Sequence, residues 1–368
     1  MTDARDQADR ELMRMADVPE TVARRERDVA ADILRGLAII LVVYGHHARG
    51  VMKTLDDSRW MTVLKAIDFT LYTTHMPIFF LVAGYNAFFS IRKVAPSRYL
   101  RSRGWAIVYP YVLWSVLFWA SMAAARLIIH VNGDIPFSAL LNIATRPISI
   151  FWFLYALLLL QLGALLFAGR AGLSAALVAL ALGGFTFLSD APPSDLLPQT
   201  IVHAPYFVAG LWLAQNGQVL MHPIRSPFGL AAVAVLFVCG AFALWSLGGI
   251  TPVSLWTIPV SALGLLLIMT LACTLSPTGR TGRHLAWLGM VSLPIYLMHI
   301  IFLPLAPRLL SALHLRTVPL NLTFGTAFGV YVPVAVYMVA ERLNLADLFA
   351  LTGKSPFRQH APALSPIK

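Results

Sequence analysis

Apolar stretches long enough to cross a bilayer recur along nearly the whole chain after residue 30, and the interruptions between them are too short to hold a water-soluble domain. A helix needs about 20 mostly apolar residues to span the hydrocarbon core. Of the 368 residues, 58% are hydrophobic and 12% charged, about half the charge of an ordinary soluble domain, so most of the surface must face something other than water. The expected fold is therefore all-α, a polytopic membrane protein with about ten transmembrane helices. Apolar runs, read against Gly, Pro and charge, place spans near 31–49, 67–90, 104–129, 149–168, 172–188, 199–216, 229–247, 253–275, 285–307 and 320–343. Residues 1–30 form a charged arm, 31–345 one membrane domain and 346–368 a tail. The first 28 residues carry both acids and bases and lack the apolar run of a signal peptide.

A net charge of +11 would suit a nucleic-acid binder if its cations formed one basic face. They lie in short loops instead, so no nucleic-acid partner is expected. Membrane orientation accounts for them, because cytoplasmic loops carry the excess of Lys and Arg. With the N-terminus inside, the inside connections hold Arg92, Lys93, Arg98, Arg101, Arg103, Arg170, Arg225, Arg280 and Arg283. The outside ones hold Arg49, Lys53, Arg59, Lys65, Arg146, Arg308 and Arg316. Arginines in the arm and Lys354, Arg358 and Lys368 in the tail widen the difference, so both termini are expected in the cytoplasm. Cys239 and Cys273 fall inside apolar segments, where they read as small packed hydrophobes. No spaced set of His, Cys, Asp or Glu offers three convergent ligands, so no metal is expected.

Ionisable groups inside a span cost at least ~2.5 kcal/mol for a central Arg or Asp, which makes each a functional candidate. The first span carries Arg35 and His46. Eleven residue steps return within about 20° of the starting direction, so both lie on one helix face roughly 16 Å apart along the axis. Two readings are open. Arg35 snorkels to the headgroups beside Asp32 while His46 is a packed polar residue, or the two mark a site. His75 tips the balance, because it opens the second span at a depth matching that of His46. Paired imidazoles on sequential helices suit proton transfer near neutral pH. His47 is one step around the helix, points elsewhere and reads as structural.

The stretch from Asp32 to His46, with a basic residue followed by ten others and then His, resembles the first-helix signature of the acyltransferase 3 family of bacterial membrane acyltransferases. The resemblance is to the branch of fucose 4-O-acetylases and capsule O-acetyltransferases. Residues 74–85, Thr-His-Met-Pro-Ile-Phe-Phe-Leu-Val-Ala-Gly-Tyr, are similar to its second-helix block, with Ala83 where Ser is usual. Further matches follow in family order: Tyr109-Pro110-Tyr111 to Trp114, Phe151-Trp152-Phe153-Leu154, Pro205-Tyr206-Phe207 to Gly210, and Ser292 to His299. Glu341 resembles a family Glu but lacks the Pro that commonly follows.

The resemblance implies a multi-pass enzyme of the bacterial inner membrane. It would move an acyl group, acetyl by base rate, from cytoplasmic acyl-coenzyme A to a hydroxyl of a glycan or lipid-linked saccharide. Acetyl-coenzyme A is then a donor substrate rather than a resident cofactor. On that reading the catalytic group is His46, His75 and Arg35, with His46 as general base or as the carrier of an acyl-histidine. Arg35, Arg98, Arg101 and Arg103 would bind the phosphates of coenzyme A. Tyr85, Asn86, Trp152, Tyr296, His299 and Glu341 would line the acceptor pocket. The competing readings are a transporter or flippase using the buried Arg and His as a pathway, and a non-catalytic scaffold in glycan export.

Overall fold

The computed structural model describes residues 20–129, 135–167, 177–178, 180–184, 196–216, 224, 226–275, 279–315 and 317–354. Among these the regular structure is entirely helical, and the protein is an all-α polytopic membrane protein. Six helices are long and apolar enough to cross a membrane: Val29–Met52, Arg59–Lys93, Pro96–Leu127, Pro227–Leu247, Leu255–Thr274 and Val318–Arg342. A bent pair, Arg280–Met290 and Ser292–Phe302, makes a seventh if taken as one span. The expected spans near 149–168 and 199–216 are occupied by the shorter helix Trp152–Phe167 and by Leu196–Gln215. The one expected near 172–188 lies largely outside the described residues. Helix α1, Glu20–Met52, starts inside the segment expected to be an arm.

Two expected spans are broken by proline. The second is a helix α2, Ser58–Tyr72, followed after Thr73 and Thr74 by α3, His75–Lys93. Pro77 has no N–H, and its ring would strike the carbonyl four residues back, that of Thr73, which favours the break seen there within the span Arg59–Lys93. Pro294 acts in the same way on Met290. Helix α4, Arg280–Met290, ends there, and α5, Ser292–Phe302, leaves at 77° to it. The sequence reading ran both segments through as single straight spans.

Two pairs of glycines set the spacing of the site helices. At Gly36 an added Cβ would run into the carbonyl oxygen of Leu285, and at Gly289 into that of Asp32, so α1 and α4 cross backbone against backbone. Gly84 and Gly210 do the same for α3 and the helix Leu196–Gln215, facing the carbonyls of Phe207 and Leu81. Small residues at such crossings let membrane helices approach closely where lipid supplies no hydrophobic drive. The main core gathers on these four helices through Leu34, Ile39, Phe80, Phe207 and Leu288, all buried. In contrast, Pro227–Leu247 is apolar on every side and buries little beyond Phe237 and Ala241, as a lipid-facing helix should. Just past Val318–Arg342 the chain packs back onto Tyr109–Ile129, where Trp114 Nε1 donates to the Phe349 carbonyl at 2.8 Å.

Candidate active site

The break at Thr73–Thr74 has a chemical result. It releases the Leu71 carbonyl from helical pairing with the His75 backbone, and the His75 side chain uses it, with Nδ1–H donating at 2.6 Å. With Nδ1 committed as donor, Nε2 is left as a lone-pair acceptor, and it is buried with no partner among the described residues. His299 on α5 is held the same way: Nδ1 donates to the carbonyls of Tyr296 at 2.8 Å and Ile295 at 3.0 Å, and Nε2 is buried without a partner.

These fixed imidazoles surround His46, which is partly exposed. The His299 ring lies 5.3 Å from that of His46, centroid to centroid. Tyr72 stands between the other two, 6.5 Å from His46 and 4.3 Å from His75, edge-on to both. Arg49, one turn after His46, lays its guanidinium over the Tyr72 ring at 3.3 Å. Its Nε and Nη2 grip the Asp68 carboxylate at 2.7 and 2.9 Å. The fork is therefore fixed by a carboxylate on one side and a ring on the other.

Two cavities meet at this cluster. The first, of about 390 Å³, runs along α1 from Arg35 to His46 and Arg49. The second, of about 840 Å³, begins at His46 and Arg49 and continues past Lys53. The two share only His46 and Arg49 among their described lining residues. At the far end of the first, Arg35 pairs with Asp32, and Arg103 gives Nη1 to Gln161 Oε1 at 3.2 Å. Tyr99 OH donates to the same oxygen at 3.1 Å. Both guanidiniums keep a buried Nε with no hydrogen-bond partner among the described residues.

Of the residues singled out in sequence, Arg35, His46, His75, Asn86, Arg103, Trp152 and Tyr296 all line the first cavity. His299 does not line it but packs on His46 from behind. Tyr296 is also a structural tie, donating its hydroxyl to the Ile150 carbonyl at 2.6 Å. Arg98 and Arg101 are exposed on the helix Pro96–Arg103 and are not among the lining residues. Tyr85 packs edge-on to Phe89 and is not among them either. Glu341 is exposed and accepts from Tyr337 OH at 2.9 Å, away from both cavities.

Sequence reasoning missed four members. Arg49 reads as a charge of an outside connection and Asp68 was not singled out, although Arg49 lies three residues beyond His46, the helical spacing that shares its face. Tyr72 gave no signal apart from the Pro77 break that follows it. Gln161, a lone polar residue in the apolar helix Trp152–Phe167, was a readable exception to its surroundings. His203, buried against Phe80 and Trp152 at 4.8 and 5.2 Å, is a further imidazole with an unpartnered Nε2, outside the cavity lining. His47 ties α1 to the helix Val318–Arg342, its Nε2–H donating to the Asn321 carbonyl at 2.9 Å.

Bent helices, close glycine crossings and a basic, histidine-lined cleft describe a membrane protein built around one polar site. The acyltransferase domain model of the acyltransferase 3 family matches residues 28–338, and the chain belongs to that family. It is similar to nodulation protein NolL of Sinorhizobium fredii, 32% identical over 221 residues, which are 57% of this chain and 56% of that one. It is also similar to nodulation protein NolL of Mesorhizobium japonicum, 27% identical over 131 residues, 35% of this chain and 33% of that one. The alignments thus span about half or less of these curated relatives. No solved structure matches.

Proposed function

We propose that this chain is a membrane O-acyltransferase that takes an acyl group, acetyl by base rate, from cytoplasmic acyl-coenzyme A and gives it to a hydroxyl of a glycan or lipid-linked saccharide. The carrying observation is the junction of two cavities at His46. One cavity has spare guanidinium donors at its far end, and the other opens on the opposite side of the same imidazole.

Coenzyme A bears its phosphates at one end and the thioester at the tip of a long arm, which fits a cleft with Arg35 and Arg103 at one end and His46 about 16 Å away. The arginines hold phosphate oxygens. His46 accepts the proton of the acceptor hydroxyl as that oxygen attacks the thioester carbonyl. The carbon–sulfur bond breaks, and His46 returns the proton to the leaving sulfur. The His299 ring lies 5.3 Å from that of His46 with its bare Nε2 unpartnered, and it steadies the imidazolium that forms when His46 takes the proton. His75 holds the opposite wall. Arg49, with Nε and Nη2 committed to Asp68, offers its remaining Nη1 to the negative charge that develops on the carbonyl oxygen. With the N-terminus in the cytoplasm, the Arg35 end of the cleft faces the donor, and the bacterial inner membrane is the expected location.

The test is thiol release from acetyl-coenzyme A by purified full-length protein with a panel of saccharide acceptors, comparing wild type with His46→Ala. Acceptor-dependent release that vanishes in the variant supports the reading. If wild type takes up a saccharide into vesicles without needing acetyl-coenzyme A, transport replaces it.

A further inference from the structure

The second cavity has a chemical character of its own. Lys53 and Arg308 are both exposed and line it from separate elements, the first just past α1 and the second from the helix Leu305–Ala312. Arg308 gives Nη1 to the Pro304 carbonyl at 3.0 Å, and neither cation has an acidic partner among the described residues. No Asp or Glu occurs among the described lining residues, and Arg49 is already neutralised by Asp68. Ser311 and Asn321 add hydroxyl and amide groups. At about 840 Å³ the space is within the range of small-ligand sites. Two cations without acidic partners, lining a cavity that leads to His46 and holds no carboxylate among its described residues, specify charge as well as hydroxyl content in the occupant.

We propose that this second cavity is the acceptor site and that it takes a saccharide bearing an anionic group, phosphate or carboxylate, held between Lys53 and Arg308 with a hydroxyl presented to His46. The role as acceptor site rests on the acyltransferase reading above. The preference for an anionic saccharide rests on the cavity alone. Ser311 and Asn321 contact the sugar ring, and Arg308, with its planar fork, makes the more directional ion contact.

Binding to the full-length protein in detergent separates the two claims. Glucose, glucose 6-phosphate, glucuronate and inorganic phosphate are titrated without acyl-coenzyme A, into wild type and into a Lys53→Gln/Arg308→Gln double variant. Both side chains are exposed, so the double variant keeps the fold. Glucose 6-phosphate and glucuronate should bind wild type at least tenfold more tightly than glucose and more tightly than inorganic phosphate. The double variant should lose about tenfold or more for the anionic sugars, the scale of a lost charge-assisted contact, and added salt should weaken wild type in the same direction. Equal binding of glucose, an unaffected double variant, or inorganic phosphate binding as tightly as glucose 6-phosphate each overturns the anionic-saccharide claim. Anionic sugars that bind as expected but never draw thiol release from acetyl-coenzyme A leave the ligand assignment standing and overturn the acceptor role.

Discussion

His46 and His299 sit with ring centroids 5.3 Å apart on helices that come from opposite ends of the sequence, and the His299 ring is locked by two backbone carbonyls so that a bare nitrogen remains. A fixed imidazole behind a reactive one is the arrangement by which a base is held in one tautomer. Replacing His299 with Ala should lower kcat about 10²-fold or more and leave KM for acetyl-coenzyme A within about twofold, because the loss falls on proton transfer. His299→Gln, whose side-chain oxygen accepts a hydrogen bond, should recover part of kcat. A matched rise in both KM values would assign His299 to substrate binding instead.

Arg103→Ala should act on the other end of the cleft. It removes a guanidinium held by Gln161 and leaves His46 untouched, so KM for acetyl-coenzyme A should rise about tenfold with kcat little changed. Gln161→Leu should follow it in weaker form by freeing the Arg103 side chain. Initial-rate kinetics at varied donor concentration resolve both.

Asp68→Asn keeps the size of its side chain and removes the charge that aims Arg49. We expect a fall in kcat of about tenfold with normal expression, since the fork can then swing off the Tyr72 ring. Arg49→Lys should lose at least as much, because an ammonium cannot match the two-pronged contact with Asp68. Unchanged kcat in both variants would remove Arg49 from the reaction.

Gly36→Ala and Gly289→Ala should destabilise without removing any side chain of the site. Each added methyl meets a backbone carbonyl, which cannot rotate away, so overpacking of about 1–3 kcal/mol is expected. A lower thermal midpoint in detergent reads this directly. Gly163→Ala is the control, since a Cβ there meets nothing within 4 Å.

Much of this site was legible in the chain because helical period alone puts Arg35 and His46 on one face, and the depth of His75 follows from counting inward. Trp152 and Tyr296 came from matched motifs rather than physics, and they too line the cavity. What stayed hidden depended on two habits of reading. Charges were assigned to loops, which placed Arg49 outside the membrane when α1 runs on to Met52 and carries it into the cleft. Prolines inside apolar runs were treated as tolerated, although Pro77 and Pro294 break their helices and turn His75 and His299 toward the site. The joining of Arg103 to Gln161 depends on tertiary packing, to which neither local pattern points. Arg98 and Arg101 were grouped with Arg103 as one basic loop and Glu341 came from a motif, and all three side chains are exposed and absent from the cavity linings.

The meeting of two cavities at His46 and Arg49 makes those side chains a seal as well as a site. In the orientation proposed above, the insulation between the two faces of the bilayer is thinned there to the width of an imidazole and a guanidinium. Trimming either one joins the cavities into a single wet path, so a variant that has lost its chemistry should also let protons leak, and cells carrying it should struggle to hold their membrane potential.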